Sequence, residues 1–275
     1  RPGRASVTRE PYEAYGTRTG GVIVDPFGHR WMLTGPSKTQ LSNRIHQGDI
    51  GYMSLNTPDA ARARRFYGAV LGWEFDPEGG RRVTNVGHRL GIFETDGDPT
   101  VFCAYAVDDL EAAHARIVAA GGQGEFGRVP TGIGSSTRST PRACDSRCTP
   151  PNPATCGPPN IPRDIGAMSY LTVLTPDSAR YRDFYGSVLG WTFHGGRIDD
   201  GWEVDDVRPQ VGIAGGADTS VAVPMWVIDD VEGAVARVRA AGGSVLEEPP
   251  RTAPYGISAR CTDDQGAQFY LGQLF

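Results

Sequence analysis

The sequence lacks the long apolar run that a membrane-spanning helix needs. No stretch of its 275 residues approaches roughly eighteen consecutive apolar positions. No apolar signal-peptide core lies near the start, although a chain that begins at Arg1 rather than Met need not show its true N-terminus. Strong positive charge is also missing, because the formal net charge is −5. These absences predict a cytoplasmic protein that binds neither nucleic acid nor a membrane.

Cysteine is scarce and poorly arranged for disulfides or for a metal. The chain has five cysteines, and Cys144, Cys148 and Cys156 crowd into one proline-rich stretch with CxxxC and Cx7C spacing. No established zinc site uses that spacing. Free thiols in a reducing compartment are therefore expected.

What the sequence has instead is a long internal repeat. Residues 57–75, TPDAARARRFYGAVLGWEF, return at 175–193 as TPDSARYRDFYGSVLGWTF, and residues 107–122, VDDLEAAHARIVAAGG, return at 228–243 as IDDVEGAVARVRAAGG. A chain of this length suits two domains of roughly 110 residues, each with its own core. Two copies of one domain therefore lie in tandem.

Each copy begins with an alternating strand, a Thr-Pro-Asp turn and a helix. The helices are expected over 59–71 and 177–189, where apolar residues recur at three- and four-residue spacing and a glycine follows. The second half of each copy repeats this plan in weaker form. Each copy is therefore itself a doubled βαβββ unit.

The FYxxVLGW end of the first helix and a closing DxxG turn accompany this plan. Together they resemble the vicinal-oxygen-chelate superfamily, which includes glyoxalase I, bleomycin-resistance proteins and extradiol dioxygenases. The resemblance covers 49–133 and 165–275. It implies an α+β fold of tandem domains. In each domain the two βαβββ units would form a cupped mixed sheet, with the ligand in the cup and the helices outside.

The remaining residues divide into further segments. Residues 10–33 parallel 248–271, so residues 1–34 are interpreted as the closing strands of an incomplete domain of the same type. A polar linker at 35–48 leads to the first copy at 49–134, whose closing strands are missing or altered, and the second copy occupies 165–275. The strands within 18–33 are expected to fill the vacant edge of the first copy.

The segment at 135–164 is rich in proline and cysteine and has no strand periodicity. Two interpretations stay open: an irregular linker, or a stretch read out of frame. Codons can be chosen for 135–149 that, read with one preceding G, encode VEYAIDTAGVRFALY. That sequence restores a DxxG turn and an alternating strand, and resequencing the gene distinguishes the two interpretations.

The resemblance also implies a divalent metal held by His and Glu side chains on strands that line the cup. In this sequence the matching positions carry aromatic, aliphatic or thioether side chains: Tyr52, Tyr170, Met32, Tyr270, Phe102 and Val223. None of these binds a divalent metal well, and the five histidines are scattered. We therefore predict no metal and no cofactor, and we assign no catalytic residue.

Strand alternation then predicts which side chains line the cup. The expected ligand-binding residues are Tyr52, Met168, Tyr170, Thr172, Trp202, Met225, Trp226, Gln268 and Tyr270. Such a pocket suits a flat, partly apolar molecule held by stacking and one or two hydrogen bonds. The alternative is that these aromatic side chains simply fill the cup as core.

Two functions fit this pocket. The first is a metal-free protein that holds a small organic ligand, similar to the bleomycin-resistance members. The second is a glyoxalase-like lyase or isomerase, or a dioxygenase, that works with Tyr and Asp. Loss of the matched metal ligands favours binding. The tandem copies are expected to form an intramolecular pseudo-dimer, or the chain a homodimer.

Overall fold

The computed structural model describes residues 12–14, 17–36, 45–120, 164–248 and 250–275. Within them the chain forms two mixed β-sheets and four α-helices, which is the predicted α+β class. The helices are α1 (Ala60–Leu71), α2 (Leu110–Ala119), α3 (Ser178–Leu189) and α4 (Val231–Ala240). The strands are β1 (Tyr12–Ala14), β2 (Thr17–Val24), β3 (Arg30–Pro36), β4 (Ile50–Thr57), β5 (Leu90–Glu94), β6 (Thr100–Ala106), β7 (Met168–Leu174), β8 (Phe193–Gly195), β9 (Gly201–Val204), β10 (Gln210–Ala214), β11 (Val221–Val227), β12 (Ser244–Val245), β13 (Arg251–Ala253), β14 (Gly256–Thr262) and β15 (Gln268–Leu274).

The first helix of each copy has the predicted ends. The Asp59 side chain accepts a hydrogen bond from the backbone N–H of Arg62 at 2.8 Å, and Asp177 caps α3 in the same way. Both helices end at a glycine in the left-handed region, with φ 69° at Gly72 and φ 76° at Gly190. The repeated sequence therefore builds the same helix twice.

The second copy forms a nine-stranded sheet. Its strand order is β12-β14-β15-β11-β7-β10-β9-β8, with β13 paired to β14. The central strand β7 runs parallel to β10 and antiparallel to β11, and β11 runs parallel to β15. Leu171, Val173, Phe269 and Leu271 point to the helix side and are at most 2% exposed. The opposite face of these strands is therefore the face that a ligand could reach.

The first copy obtains its closing strands from the start of the chain. Its sheet has the order β1-β2-β3-β6-β4-β5, and β3 runs parallel to β6 with Trp31 opposite Cys103. This is the pairing that β15 makes with β11 in the second copy. Trp31 is 1% exposed and Leu33 is fully buried, so the hairpin completes the core of the first copy. The predicted filling of the vacant edge is confirmed by this pairing.

The closing turns tie the two copies together. The hydroxyl of Tyr185 on α3 donates to Asp25 Oδ2 at 2.6 Å, and the hydroxyl of Tyr67 on α1 donates to Asp263 Oδ2 at 3.2 Å. Each bond joins a helix of one copy to the turn that closes the other sheet. The two halves of the molecule therefore make matching contacts.

Within the described residues, no helix has the length and apolarity that crossing a membrane requires. The described thiols, Cys103 and Cys261, are free and buried, and burial raises the pKa of each to about 12. The segment with the other three cysteines, including the residues interpreted as linker or misread frame up to 163, lies outside the described residues. The predicted domain boundaries stay predictions.

Candidate ligand-binding site

One row of opposed residues crosses the centre of the nine-stranded sheet. In order across strands β10, β7, β11, β15 and β14, its members are Gln210, Tyr170, Met225, Tyr270 and Arg260. Directly opposed residues on neighbouring strands point to the same face of a sheet. The neighbours of Tyr170 and Tyr270 along the chain, Leu171 and Leu271, are buried against the helices. The row therefore lies on the cup face.

Two large side chains of this row lie over glycines of adjacent strands. A Cβ on Gly212 would overlap the hydroxyl and ring of Tyr170, and a Cβ on Gly272 would lie 2.8 Å from the Met225 sulfur. Glycine inside a strand commonly marks such a close approach. Tyr170 and Met225 therefore depend on these glycines for their positions in the cup.

The tyrosines of the row are neutral hydrogen-bond donors. Burial raises the pKa of Tyr170 well above its ordinary value of 10.0, and the Glu203 carboxylate raises it further. Burial also raises the pKa of Tyr270, although nearby Arg260 lowers it in part. Because neither phenol ionises near neutral pH, the cup offers hydroxyl donors rather than phenolate bases.

Arg260 brings positive charge to one end of the row. Its Nη2 donates to Gln268 Oε1 at 2.7 Å, and its guanidinium carbon lies 5.9 Å from the centroid of the Tyr270 ring. Its Nη1 is 3.7 Å from Glu247. The Nε atom is buried and has no hydrogen-bond partner among the described residues. A ligand oxygen at this end would therefore find an available donor.

A contact between distant parts of the sheet closes the cup. Arg197 follows β8, and its guanidinium carbon lies 5.7 Å from the centroid of the Tyr255 ring, which precedes β14. Strand β8 ends one side of the sheet, and β14 lies near the other side. Both side chains also act electrostatically on Tyr170. The sheet is therefore curved, with its two sides meeting near the row, as the predicted cup requires.

A histidine and a glutamate occupy the far end of the cup face. Glu203 is opposite Gly212 and His194 is opposite Glu203, so both share the face of the row. His194 Nε2 is 3.7 Å from Glu203, and its Nδ1 is 2.7 Å from Asp205. Among the residues with described positions, no three His, Cys, Asp or Glu side chains form a group that could hold a metal.

The positions that the resemblance assigns to a metal therefore do not fit one. In the second copy they carry Tyr170, Met225 and Tyr270, whose phenol and thioether groups are poor ligands for Mn²⁺, Fe²⁺ or Zn²⁺. The middle position is Met225 rather than Val223, which is two residues away and opposite Thr172. The sequence placed the expected ligand near Val223, and neither Val223 nor Met225 is a metal ligand of the expected type.

The first copy has a matching row of opposed residues, with smaller side chains at two of its positions. Tyr52 is opposite Ala104, and Ala104 is opposite Met32. Ala104, rather than Phe102, is thus the middle position here. A Cβ on Gly91 would lie 2.7 Å from the Tyr52 hydroxyl, so the tyrosine again lies over a glycine.

Two tryptophans predicted to line the cup lie on its other face. Trp202 is opposite buried Ile213, and the Arg182 guanidinium of α3 stacks 3.6 Å from the centroid of its ring. Trp226 is fully buried and packs edge-to-face on Trp73, with centroids 4.9 Å apart. Both belong to the helix side, so their placement in the cup is wrong.

Met168 was also expected on the cup face, but a β-bulge in β7 turns its side chain to the helix side. Trp226 is opposite Met168 while Met225 is opposite Tyr170, so Ser169 is an extra residue on β7. A bulge shifts the alternation by one position. Met168 therefore joins the core and is fully buried.

The other predicted residues keep their positions beside the row. Thr172 is half-buried next to Tyr170 on β7, and Gln268 is hydrogen-bonded to Arg260. Sequence reasoning missed Arg260, Gln210 and Glu203. Arg260 could have been predicted from the sequence, because an antiparallel hairpin around the DxxG turn at 263–266 places it opposite Tyr270.

The protein has the fold of the vicinal-oxygen-chelate class. Its βαβββ units are doubled, its sheets are curved, and a row of opposed residues crosses each sheet. The family model described as a glyoxalase-like domain matches residues 52–127 and 170–272, more than half of the chain. The protein therefore belongs to the glyoxalase-like domain family.

Known proteins with similar sequences or structures agree with this family. "Putative glyoxylase CFP32" of Mycobacterium bovis is 28% identical over 264 residues, which span 82% of this chain and 95% of that protein. "Anthracycline biosynthesis protein DnrV" of Streptomyces peucetius is 23% identical over 269 residues, spanning 84% and 95%. The Mn(II)-bound glyoxalase from Novosphingobium aromaticivorans has a TM-score of 0.53 and 14% identity, with 82% of each chain covered, and so shares the fold.

Proposed function

We propose that the protein is a metal-free binding protein that holds a flat, partly apolar organic molecule in the cup of its second copy. The supporting observation is the row in which Tyr170, Met225 and Tyr270 stand side by side on the cup face. Aromatic rings and a thioether favour stacking on a planar ligand. One relative is named for the biosynthesis of anthracyclines, which are planar polycyclic molecules.

The polar groups around the row would orient the ligand. The Tyr170 and Tyr270 hydroxyls would donate to the ligand, since burial raises their pKa values and keeps them protonated. Arg260 offers its buried Nε at one end, and Glu203 offers an acceptor at the other. A ligand with a carbonyl, carboxylate or phenol oxygen at the Arg260 end fits this distribution best.

The experiment is a fluorescence titration of the full chain with an anthracycline, combined with elemental analysis of the purified protein. Tyr170→Phe removes one donor and should weaken binding about 5- to 10-fold. Tyr52→Phe makes the same change in the first copy and should leave the affinity unchanged. Stoichiometric Mn, Fe, Ni or Zn, or equal losses in both variants, would overturn the proposal.

Turnover must be measured in the same samples. Incubation with the hemithioacetal of an aldehyde and a thiol, or with a catechol under air, should leave the compound unchanged. Conversion that Tyr170→Phe abolishes would replace the binding proposal with a lyase, an isomerase or a dioxygenase. Failure of the anthracycline to bind at all would also count against the proposal.

We propose further that the two copies act as an intramolecular pseudo-dimer in the cytoplasm. The matching Asp25–Tyr185 and Asp263–Tyr67 hydrogen bonds support the pairing. The free thiols of Cys103 and Cys261 support a reducing compartment. Light scattering should give the mass of one chain, and a mass of two chains would favour a homodimer instead.

A further inference from the structure

A cavity of about 140 Å³ lies between the two copies. Its walls come from the turn of the N-terminal hairpin, the strand ends of the first copy, and the start of β11 with the closing turn of the second copy. Val101 and Ala222 in its wall are opposite Leu55 and Val173, which are buried on the helix side. The cavity thus opens on the faces opposite to the cup rows.

Two buried polar atoms at this cavity lack partners. Thr57 is 1% exposed, and its Oγ1 has no hydrogen bond among the described residues. His29 Nε2 is also buried without a partner, and both residues line the cavity. An unsatisfied buried polar atom is rare in folded proteins. An occupant of the cavity would satisfy both atoms.

The hydrogen bonds around His29 determine whether its unpartnered Nε2 atom donates or accepts. Asp25 Oδ2 lies 3.0 Å from His29 Nδ1 and also accepts the Tyr185 hydroxyl, while Oδ1 accepts the backbone N–H groups of Phe27 and His29. A carboxylate that receives these bonds can only accept, so Nδ1 carries the proton. In the neutral ring, Nε2 is then an acceptor, to which a ligand hydroxyl in the cavity could donate.

The rest of the lining is mostly apolar, with Leu55, Val101, Val221 and Ala222 in its walls, and its few charges nearly balance. Asn56, Thr100 and Gln268 also line it, with Asn56 Oδ1 accepting from Ser54 and Gln268 Oε1 accepting from Arg260. Arg30 brings one positive charge, and Asp263 brings a carboxylate already bonded to Tyr67 and to two backbone N–H groups. A lining of this kind does not favour an ion of either sign. Together with the unpartnered Thr57 Oγ1 and His29 Nε2, it favours a small uncharged molecule with apolar carbon and one or two hydrogen-bonding groups.

We propose that this cavity is a second binding site, for an uncharged hydroxy or hydroxycarbonyl compound of about six heavy atoms. The size follows from the volume, since an engineered cavity of about 150 Å³ in another protein holds benzene. Glycerol and dihydroxyacetone have the required size and groups. Tyr170, Met225 and Tyr270 of the cup do not line this cavity, and Gln268 is the residue that both sites share among the described ones.

Saturation-transfer NMR of the full chain with dihydroxyacetone, with glycerol as competitor, tests the site. We expect saturable binding with a Kd on the order of 1 mM, as a ligand this small allows. Ala222→Leu fills the cavity and should abolish binding. Thr57→Val keeps the shape but removes the hydroxyl and should weaken binding at least about 5-fold, whereas Thr57→Ser should retain most of the affinity.

The controls separate this site from the cup. Tyr170→Phe should not change dihydroxyacetone binding, and Thr57→Val should not change anthracycline binding. Circular dichroism reports whether Ala222→Leu folds, and if it does not, the comparison of Thr57→Val with Thr57→Ser decides. No saturable binding up to about 20 mM, which is far weaker than the expected affinity, would mean that the cavity holds water only. Equal binding by Thr57→Val and Thr57→Ser would mean that the compound binds elsewhere, and either result overturns the proposal.

Discussion

The two copies share one scaffold and differ in what they place on it. Both put a tyrosine of the first strand over a glycine of its parallel neighbour, Tyr52 over Gly91 and Tyr170 over Gly212. The next two positions are Ala104 and Met32 in the first copy but Met225 and Tyr270 in the second. The backbone therefore fixes the position of the row, and the side chains at two positions decide how aromatic each cup is.

The copies also differ in where their closing strands come from. In the second copy β14 and β15 follow the strand they join, whereas in the first copy β2 and β3 precede it by many residues. The pairing is nevertheless the same, parallel to the middle strand of the sheet. In this protein a strand with the matching pattern of side chains therefore fills the edge of the first sheet, although it comes earlier in the chain.

The first prediction tests whether the N-terminal hairpin of β2 and β3 stabilises the first copy as much as β15 stabilises the second. Trp31 and Phe269 stand at matching positions, and each is at most 1% exposed. Either change, Trp31→Ala or Phe269→Ala, should lower the free energy of unfolding by about 3 to 5 kcal/mol. Urea denaturation measures both. A loss below about 1 kcal/mol for Trp31→Ala alone would show that the hairpin is only loosely attached.

The second prediction concerns the loops before β5 and β10, where His88 matches Pro209. Burial lowers the pKa of His88 from 6.5 to about 4. A depressed histidine pKa means that folding favours the neutral ring, so stability is present above pH 6.5 and is lost as the pH falls toward 4. Between pH 7 and pH 4.5 this loss should reach about 2 to 3 kcal/mol.

His88→Gln isolates this contribution, because glutamine does not titrate. Urea denaturation at both pH values should show a smaller loss in the variant by about the same 2 to 3 kcal/mol. The carboxylates of the chain titrate equally in both proteins and cancel in the comparison. An identical loss in the two proteins would contradict the buried neutral histidine.

The smallest effect distinguishes the two tyrosine–aspartate contacts between the copies. In Tyr185→Phe, Asp25 Oδ2 keeps its contact with His29, whereas in Tyr67→Phe no other described residue bonds to Asp263 Oδ2. A buried acceptor left without a partner costs more than a bond replaced. We expect losses of about 1 kcal/mol for Tyr185→Phe and about 2 kcal/mol for Tyr67→Phe in urea denaturation. The reverse order would show that His29 does not support Asp25.

Local sequence features predicted the helices well. Asp59 and Gly72 mark the ends of α1 because a cap and a left-handed glycine act within one turn of the chain. The alternation around Tyr170 predicted its face as well. The same rule failed at Met168, because the extra residue Ser169 shifts the strand, and a bulge depends on the partner strand as much as on its own sequence.

The candidate site was predicted only in part, because strand alternation is local whereas strand pairing is not. Tyr170 and Tyr270 came from positions matched to metal ligands and Met225 from the middle strand, and the structure places all three in one row. Trp202 was assigned to the wrong face because β9 is short and its pairing with β10 decides which side its residues face. The cavity between the copies left no trace in the sequence, since its walls come from three separated segments.

The repeat, the capped helices and the side chains at the positions expected to hold a metal can all be read from the sequence alone. These follow from matches along the chain and from contacts within a few residues. Folding in three dimensions sets which strands close the first copy and which faces the tryptophans occupy, and it brings His29 and Thr57 to one cavity. Those outcomes depend on pairing between distant segments, where packing and hydrogen bonding across the two copies select one arrangement.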